Sequence, residues 1–295
     1  MIRLKLLTIS LLILSYSVCF AEFRVAVSTT QIADLTYNVA GDDIIIQSIL
    51  SPGQDPHTYS PVPKDIETVS KADLVIENGL HLEGKNWMRT LANDAGKTLV
   101  TATSGLRPLI MEKDGMKVND PHAWFTPQNA AVYLNNITRA LIKLDPANKH
   151  NYVARAKLYL ANLKALDGWI RSEVSTIPPE KRVLVSNHDA FQYFAKAYGF
   201  INTAPIGWST GSEVGGGVTP KRREEVINSI KQMNVKAIFF ETTINPKLIR
   251  EIAKDAGVKI GGELYSDSMG DVDTPGETYI GMMRENVLKI VKGLK

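Results

Sequence analysis

The chain has 295 residues, 34 basic against 31 acidic, a formal net charge of +3 and a single cysteine. Charge this close to balance, with no basic run interleaved with aromatics, gives no nucleic-acid footprint. The lone Cys19 leaves no disulfide framework and no thiolate metal site, so any metal must be held by nitrogen and oxygen.

Taken in chain order, Arg3 and Lys5 form a short positive region ahead of an apolar run from Leu6 to Phe20. Cys19-Phe20-Ala21 then offers small residues at the positions that a signal peptidase reads. The expectation is a cleaved secretory signal over residues 1–21, with Glu22 opening the mature chain. The run is shorter than the roughly 20 apolar residues of a membrane span. Bulky Phe20 after Cys19, and Tyr16-Ser17-Val18 before it, argue against a lipid anchor there. No later apolar stretch is long enough to cross a membrane, so the mature chain is expected to be soluble and not membrane-spanning.

Phe23 to Ser28 reads as a strand, with Thr29 and Thr30 placed to cap a helix from about Gln31. Strands follow at Ile44 to Leu50, Asp73 to Glu77 and Lys97 to Thr101, with helices at Asp65 to Lys71 and Trp87 to Asn93. Alternation of this kind points to β-α units and a mostly parallel sheet. From Pro127 to Ser175 the pattern is helical almost throughout. Gln128 to Leu144 forms one helix, and Ala147 to Ser175 a second with Tyr152, Ala156, Tyr159, Leu160, Leu163, Leu166 and Ile170 at helical spacing. That second helix would run roughly 42 Å, the length of a spine joining two lobes. A new β-α series then begins, with strands at Arg182 to Ser186, Ala237 to Phe240 and Val258 to Ile260. Its helices fall at Asp189 to Tyr198, Lys221 to Met233, Pro246 to Ala256 and Thr278 to Leu294. The expected fold is α/β, with two lobes that are each a mostly parallel sheet flanked by helices, joined by one long linking helix. The expected boundaries are 22–146 for the N-terminal α/β lobe, 147–176 for the linking helix and 177–295 for the C-terminal α/β lobe.

Three of the five histidines share one context. His57 follows the second strand in Pro52-Gly-Gln-Asp-Pro-His57, His122 precedes a helix in Asp120-Pro-His122-Ala-Trp124, and His188 follows the Arg182 strand in Val185-Ser-Asn-His188. Asp267 ends Gly262-Glu-Leu-Tyr-Ser-Asp267 after the last strand. Open α/β sheets bind ligands outside the carboxyl ends of their strands. Three imidazoles and one carboxylate suit a borderline divalent ion such as Zn²⁺, and Mn²⁺ where the carboxylate binds through both oxygens. Asp55 and Asp120, each two residues before a histidine, are candidates to accept its second ring N–H and fix the tautomer. His81 and His150 lie away from strand ends and are read as non-ligands.

These segments resemble the metal-specific solute-binding proteins of bacterial ABC importers, the TroA/ZnuA-type family for zinc and manganese. The resemblance runs through the mature chain. It rests on Pro52 to His57 with Tyr59, Asn78-Gly79 with Leu82-Glu83, Asp120 to Trp124, Ser186 to Phe194 with Tyr198-Gly199, Phe239-Phe-Glu241, and Gly262 to Ser268. It implies two ligands from each lobe, His57 and His122 from one, His188 and Asp267 from the other. It further implies one Mn²⁺ or Zn²⁺ per chain as transported cargo, a membrane permease as partner, a monomeric chain and a periplasmic location. Many zinc-specific members carry a long His-rich loop before the second ligand. Met111 to Asn119 is short and lacks histidine, which points to manganese, whereas His188 stands where many manganese members have Glu, which points to zinc.

Two other readings compete. A zinc hydrolase with an open three-histidine site would use Glu241 or Glu263 as general base, although no His-Glu-x-x-His spacing is present. A metal-binding surface adhesin would use the same fold. Gly211 with Gly215 to Gly217 lacks the Lys-Ser/Thr of a P-loop and reads as a surface loop. Lys221 to Glu225 reads as a solvated helix start, and Trp124 and Trp208 are candidates to pack beside the site.

Overall fold

The computed structural model describes residues 22–113, 116–187, 189–203, 220–242 and 246–295. The signal segment, the Gly211 to Gly217 loop, Trp208 and His188 lie outside the described residues.

Strands β1 (Arg24–Val27), β2 (Ile45–Ser48), β3 (Leu74–Glu77) and β4 (Leu99–Thr101) form one parallel sheet in the order β2-β1-β3-β4. Side-chain alternation divides β1 and β3 between two cores. Val25, Val27, Leu74 and Ile76 enter a large core, while Ala26 and Val75 enter a smaller one on the opposite face. Helix α1 (Thr30–Ala40) supplies Ile32, Leu35 and Val39 to the large core, and Thr29 caps it by accepting from the Ile32 N–H. Helices α2 (Pro63–Lys71) and α3 (Trp87–Asp94) cover the other face through Val69, Trp87, Met88 and Leu91. Burial on both faces explains why β3 is apolar in three of its four positions.

Helix α4 (Pro127–Leu144) leads through a short 3₁₀ turn at Pro146–Asn148 into α5 (Lys149–Ser175). At 27 residues α5 spans about 40 Å. Its buried stripe is Tyr152, Ala156, Tyr159, Leu163, Leu166, Ile170 and Val174; Leu160, expected in the stripe, is only half-buried. This stripe packs against α1, α4 and the C-terminal helix α9 (Tyr279–Leu294), so one continuous core runs from Val25 to Leu294.

The C-terminal series has β7 (Val183–Val185) paired in parallel with β8 (Ile201–Thr203), and β9 (Ala237–Glu241) paired in parallel with β10 (Lys259–Leu264). Strand β7 lies beside β9. Helices α7 (Pro220–Met233) and α8 (Pro246–Ala256) build a core on Val226, Ile230, Ile238, Phe240 and Ile252, while Phe239 and Leu264 face α9. Helix α6 (Gln192–Tyr198) starts three residues later than expected, because the Asp189 carboxylate is engaged by the Gln192 and Asn202 side-chain amides ahead of the first turn.

Strand β8 and an antiparallel hairpin, β5 (Ile110–Lys113) with β6 (Met116–Asn119), were not expected. The hairpin occupies the short segment before His122. Among the described residues no helix is long and apolar enough to cross a membrane.

Candidate metal centre

The loop after β2 turns at Gly53, where the Gln54 side chain accepts from the Ser51 N–H. Asp55 then accepts from the His57 backbone N–H at 2.8 Å and from the Thr58 hydroxyl at 2.9 Å. Its two oxygens hold the turn, which orients the ring through the main chain. Two neighbours fix the loop from behind. The Trp87 indole donates to the Pro56 carbonyl at 3.0 Å, and Gly84 abuts the His57 carbonyl so closely that a Cβ there would lie 2.2 Å from the oxygen.

His122 sits at the end of the β6 connection, just before a 3₁₀ turn at Ala123–Phe125. Asp120 Oδ1 lies 2.7 Å from its Nδ1 and also accepts its backbone N–H at 2.9 Å. The Trp124 ring meets the imidazole edge-on at 5.5 Å. Asn78 donates to the Pro121 carbonyl at 3.2 Å, so the loop after β3 supports both histidine loops. That loop is itself pinned by Glu83, which accepts from the Ser28 hydroxyl and the Asn78 and Gly79 N–H groups. Burial pushes the Glu83 carboxyl up to about 7.

Asp267 follows β10 between two buried serines and is itself 2 % exposed. Its Oδ1 lies 3.3 Å from His122 Nε2, its Oδ2 lies 3.5 Å from His57 Nε2, and the two Nε2 atoms are 3.2 Å apart. The three side chains converge as one group of potential metal donors among the described residues. Donors in a tetrahedral shell with bonds of about 2.0–2.2 Å stand about 3.3–3.6 Å apart. The three contacts, each histidine facing a different oxygen of the Asp267 carboxylate, have the edge lengths of such a shell. Both histidines converge through Nε2, and the ring N–H of His122 is directed at Asp120.

The electrostatics favour a cation here. Burial by itself would lower the His122 imidazole, but Asp267 and Asp120 beside it outweigh that and hold it up at about 10. In the metal-free protein a proton thus takes part of the place of a positive ion.

The sequence reading named His57, His122, His188 and Asp267, and the first, second and fourth meet here; His188 is outside the described residues. Ser186 and Asn187, at the end of β7, are buried, and the Asn187 amide oxygen accepts from the Glu241 N–H at 2.8 Å. His81 and His150 are exposed and belong to no donor group among the described residues. Sequence reasoning did not find the supports Gly84 and Trp87. Glu83 was visible only as part of a motif, since its role depends on a loop in which Gly79, Leu80 and His81 all have positive φ.

The chain is similar to known proteins over most of its length. The family described as "Zinc-uptake complex component A periplasmic" (ZnuA) matches residues 25–293. The manganese-binding lipoprotein MntA of Halalkalibacterium halodurans is 38 % identical over 92 % of this chain and 88 % of its own. The metal ABC transporter substrate-binding lipoprotein SsaB of Streptococcus sanguinis is 33 % identical over 98 % of this chain and 99 % of its own. Among solved structures, the periplasmic zinc binding protein TroA from Treponema pallidum aligns with a TM-score of 0.84 and 32 % identity, covering 93 % of this chain and 99 % of that chain.

Proposed function

The chain belongs to the ZnuA/TroA family of metal-binding solute-binding proteins of ABC transporters, and on that premise we propose that His57, His122, His188 and Asp267 together hold one Mn²⁺ or Zn²⁺ ion as cargo. It is a solute-binding protein and not an enzyme. The observation that carries the ligand assignment is the convergence of two imidazoles on one carboxylate, with the two Nε2 atoms 3.2 Å apart and Asp267 Oδ1 and Oδ2 lying 3.3 Å from His122 and 3.5 Å from His57. Asp120 fixes the His122 ring and Asp55 the His57 turn. Residues 22–146 and 177–295 act as the two lobes and 147–176 as the spine, so the ion is held where they meet and is handed to a membrane permease.

Both metals fit an N/O donor set, and relatives are named for each. The described residues before His122 form a compact hairpin in place of a His-rich loop, which favours manganese; a histidine at 188 favours zinc. The chain works outside the cytoplasm, in our reading as a free periplasmic protein released after Ala21. The curated relatives are named lipoproteins, and the mass of the mature chain distinguishes cleavage after Ala21 from acylation of Cys19.

Calorimetric titration of Zn²⁺ and Mn²⁺ into His57→Ala and Asp267→Ala tests the site. We expect each to lose at least about a hundredfold in affinity; wild-type affinity in either variant overturns its assignment. Elemental analysis of protein purified without added metal, followed by competition between the two ions, decides the cargo.

A further inference from the structure

The loop that carries Asp267 belongs by sequence to the C-terminal lobe, yet its hydrogen bonds run to the N-terminal one. Gln31, on α1 and 1 % exposed, donates through Nε2 to the Ser266 carbonyl at 3.0 Å. Its neighbour Thr30 accepts the Met269 N–H at 3.0 Å and donates its hydroxyl to Gln31 Oε1 at 3.3 Å. The Ser266 carbonyl settles the amide orientation, because it can only accept and so takes Nε2, which leaves Oε1 to accept from Thr30. Gly53, in the same loop as His57, donates its N–H to the Ser268 hydroxyl at 2.7 Å. The residues on either side of Asp267, and the one beyond, are thus each tied to the N-terminal lobe.

The tie is reciprocal at His122. Tyr193 of α6 donates to the Asp120 carbonyl at 2.9 Å, and Tyr279 of α9 donates to the Trp124 carbonyl at 2.7 Å. The carbonyls two residues before and two residues after His122 are therefore held by the opposite lobe.

We propose that Gln31 is a positioning residue for metal retention: it clamps the Asp267 loop onto the N-terminal lobe, keeps Asp267 within bonding reach of His57 and His122, and so slows release of the ion. This rests on the ligand assignment above. A donor set kept assembled loses little conformational freedom when the ion binds, and affinity gained this way appears mainly in the dissociation rate. Movement that frees the ion then has to break the Gln31 bond or carry the rest of the C-terminal lobe away from a triad that stays together.

The test uses the mature chain loaded with Zn²⁺ and mixed rapidly with excess chelator. Gln31→Met keeps the length of the side chain and removes the amide. We expect release at least about tenfold faster, association changed by less than about threefold, and little change in the melting temperature of the metal-free chain. A merely structural role would lower that melting temperature and leave the release rate alone. Thr30→Val, which keeps Gln31 but removes the hydroxyl that donates to it, is expected to accelerate release by a smaller factor and serves if Gln31→Met folds poorly. Release within twofold of wild type in the folded variants overturns the clamp. Asp267→Ala is titrated in parallel: if it binds Zn²⁺ like wild type, the ligand assignment itself fails, whereas lost binding there with wild-type release in Gln31→Met removes only the clamp.

Discussion

Nδ1 of His122 lies 2.7 Å from Oδ1 of Asp120, with the two side chains 2 % and 0 % exposed. A carboxylate at this distance takes the Nδ1–H, so Nε2 is the nitrogen that faces His57 and Asp267 and would ligate an ion once its own proton has left. The same oxygen accepts the His122 backbone N–H, so one atom fixes both the ring and the chain that carries it. Asp120→Ala is expected to weaken metal binding by about 10–100-fold, measured by competition with a chelator of known affinity. An affinity within twofold of wild type would show that the ring is held by other means.

Metal uptake should release a proton. His122 is pushed down by burial and more strongly up by Asp267 and Asp120, to about 10, so the metal-free protein carries an imidazolium at neutral pH. This charge stabilises the metal-free fold fully below pH 6.5, and the contribution fades as pH rises through about 10. Binding at pH 7.5 is expected to expel about one proton from this site, and apparent affinity to rise by up to about tenfold per pH unit until the pH reaches that range. Titrations in buffers of different ionisation enthalpy measure the proton directly; heats independent of the buffer would contradict the shift.

Asp34 joins three elements: its Oδ2 accepts from the Tyr159 hydroxyl of α5 at 3.2 Å and from the Tyr279 N–H of α9 at 3.1 Å. Burial raises its carboxyl from 3.8 to about 6. The folded chain therefore binds a proton that the unfolded chain has lost between these values, and stability falls as pH rises through the window. Asp34→Asn keeps an accepting oxygen and removes the charge. The metal-free variant should be about 1–3 kcal/mol more stable than wild type at pH 7, with the gain shrinking toward pH 4. Urea unfolding at the two pH values checks this, and a gain independent of pH would refute it.

Gly84→Ala should damage the site and not merely the fold. Gly84 has φ +48°, and an added Cβ would stand 2.2 Å from the carbonyl oxygen of His57, a backbone atom that can move only with its ligand. The expected cost is about 1–3 kcal/mol in stability together with at least about a tenfold loss of metal affinity. Gly96→Ala is the control, since Gly96 also has positive φ (+62°) but nothing within 4 Å of the added carbon. It should lose stability and keep its affinity.

The β-α alternation, the linking helix and most element boundaries were legible in the chain because their causes are local. Period-two and period-3.6 apolar spacing, Thr caps and Pro or Gly stops act within a few residues. The hairpin at Ile110 to Asn119 was missed because its strands, with Met116, Lys117 and Asn119 exposed, bury too little to show an apolar alternation. Strand β8 escaped because its residues are exposed or half-buried and only three are paired.

At the site, the residue types were readable and their grouping was expected through the family resemblance, but the contacts that build the group were not. His57, His122 and Asp267 stood out by their loops at strand ends, and Asp120 by its spacing from a histidine. That Asp55 holds a main-chain turn while Asp120 takes a ring nitrogen cannot be read from two identical Asp-Pro-His tripeptides; packing behind each loop decides it. Gln31 and Ser266 are 235 residues apart, and nothing in either segment marks them as partners. By itself the sequence determined local structure and an inventory of nitrogen and oxygen donors, because propensity and chemistry travel with the residue. Only the tertiary structure decided that three of those side chains converge at contacts of 3.2, 3.3 and 3.5 Å and that the opposite lobe holds the Asp267 loop, because such contacts come from packing distant segments into one continuous core.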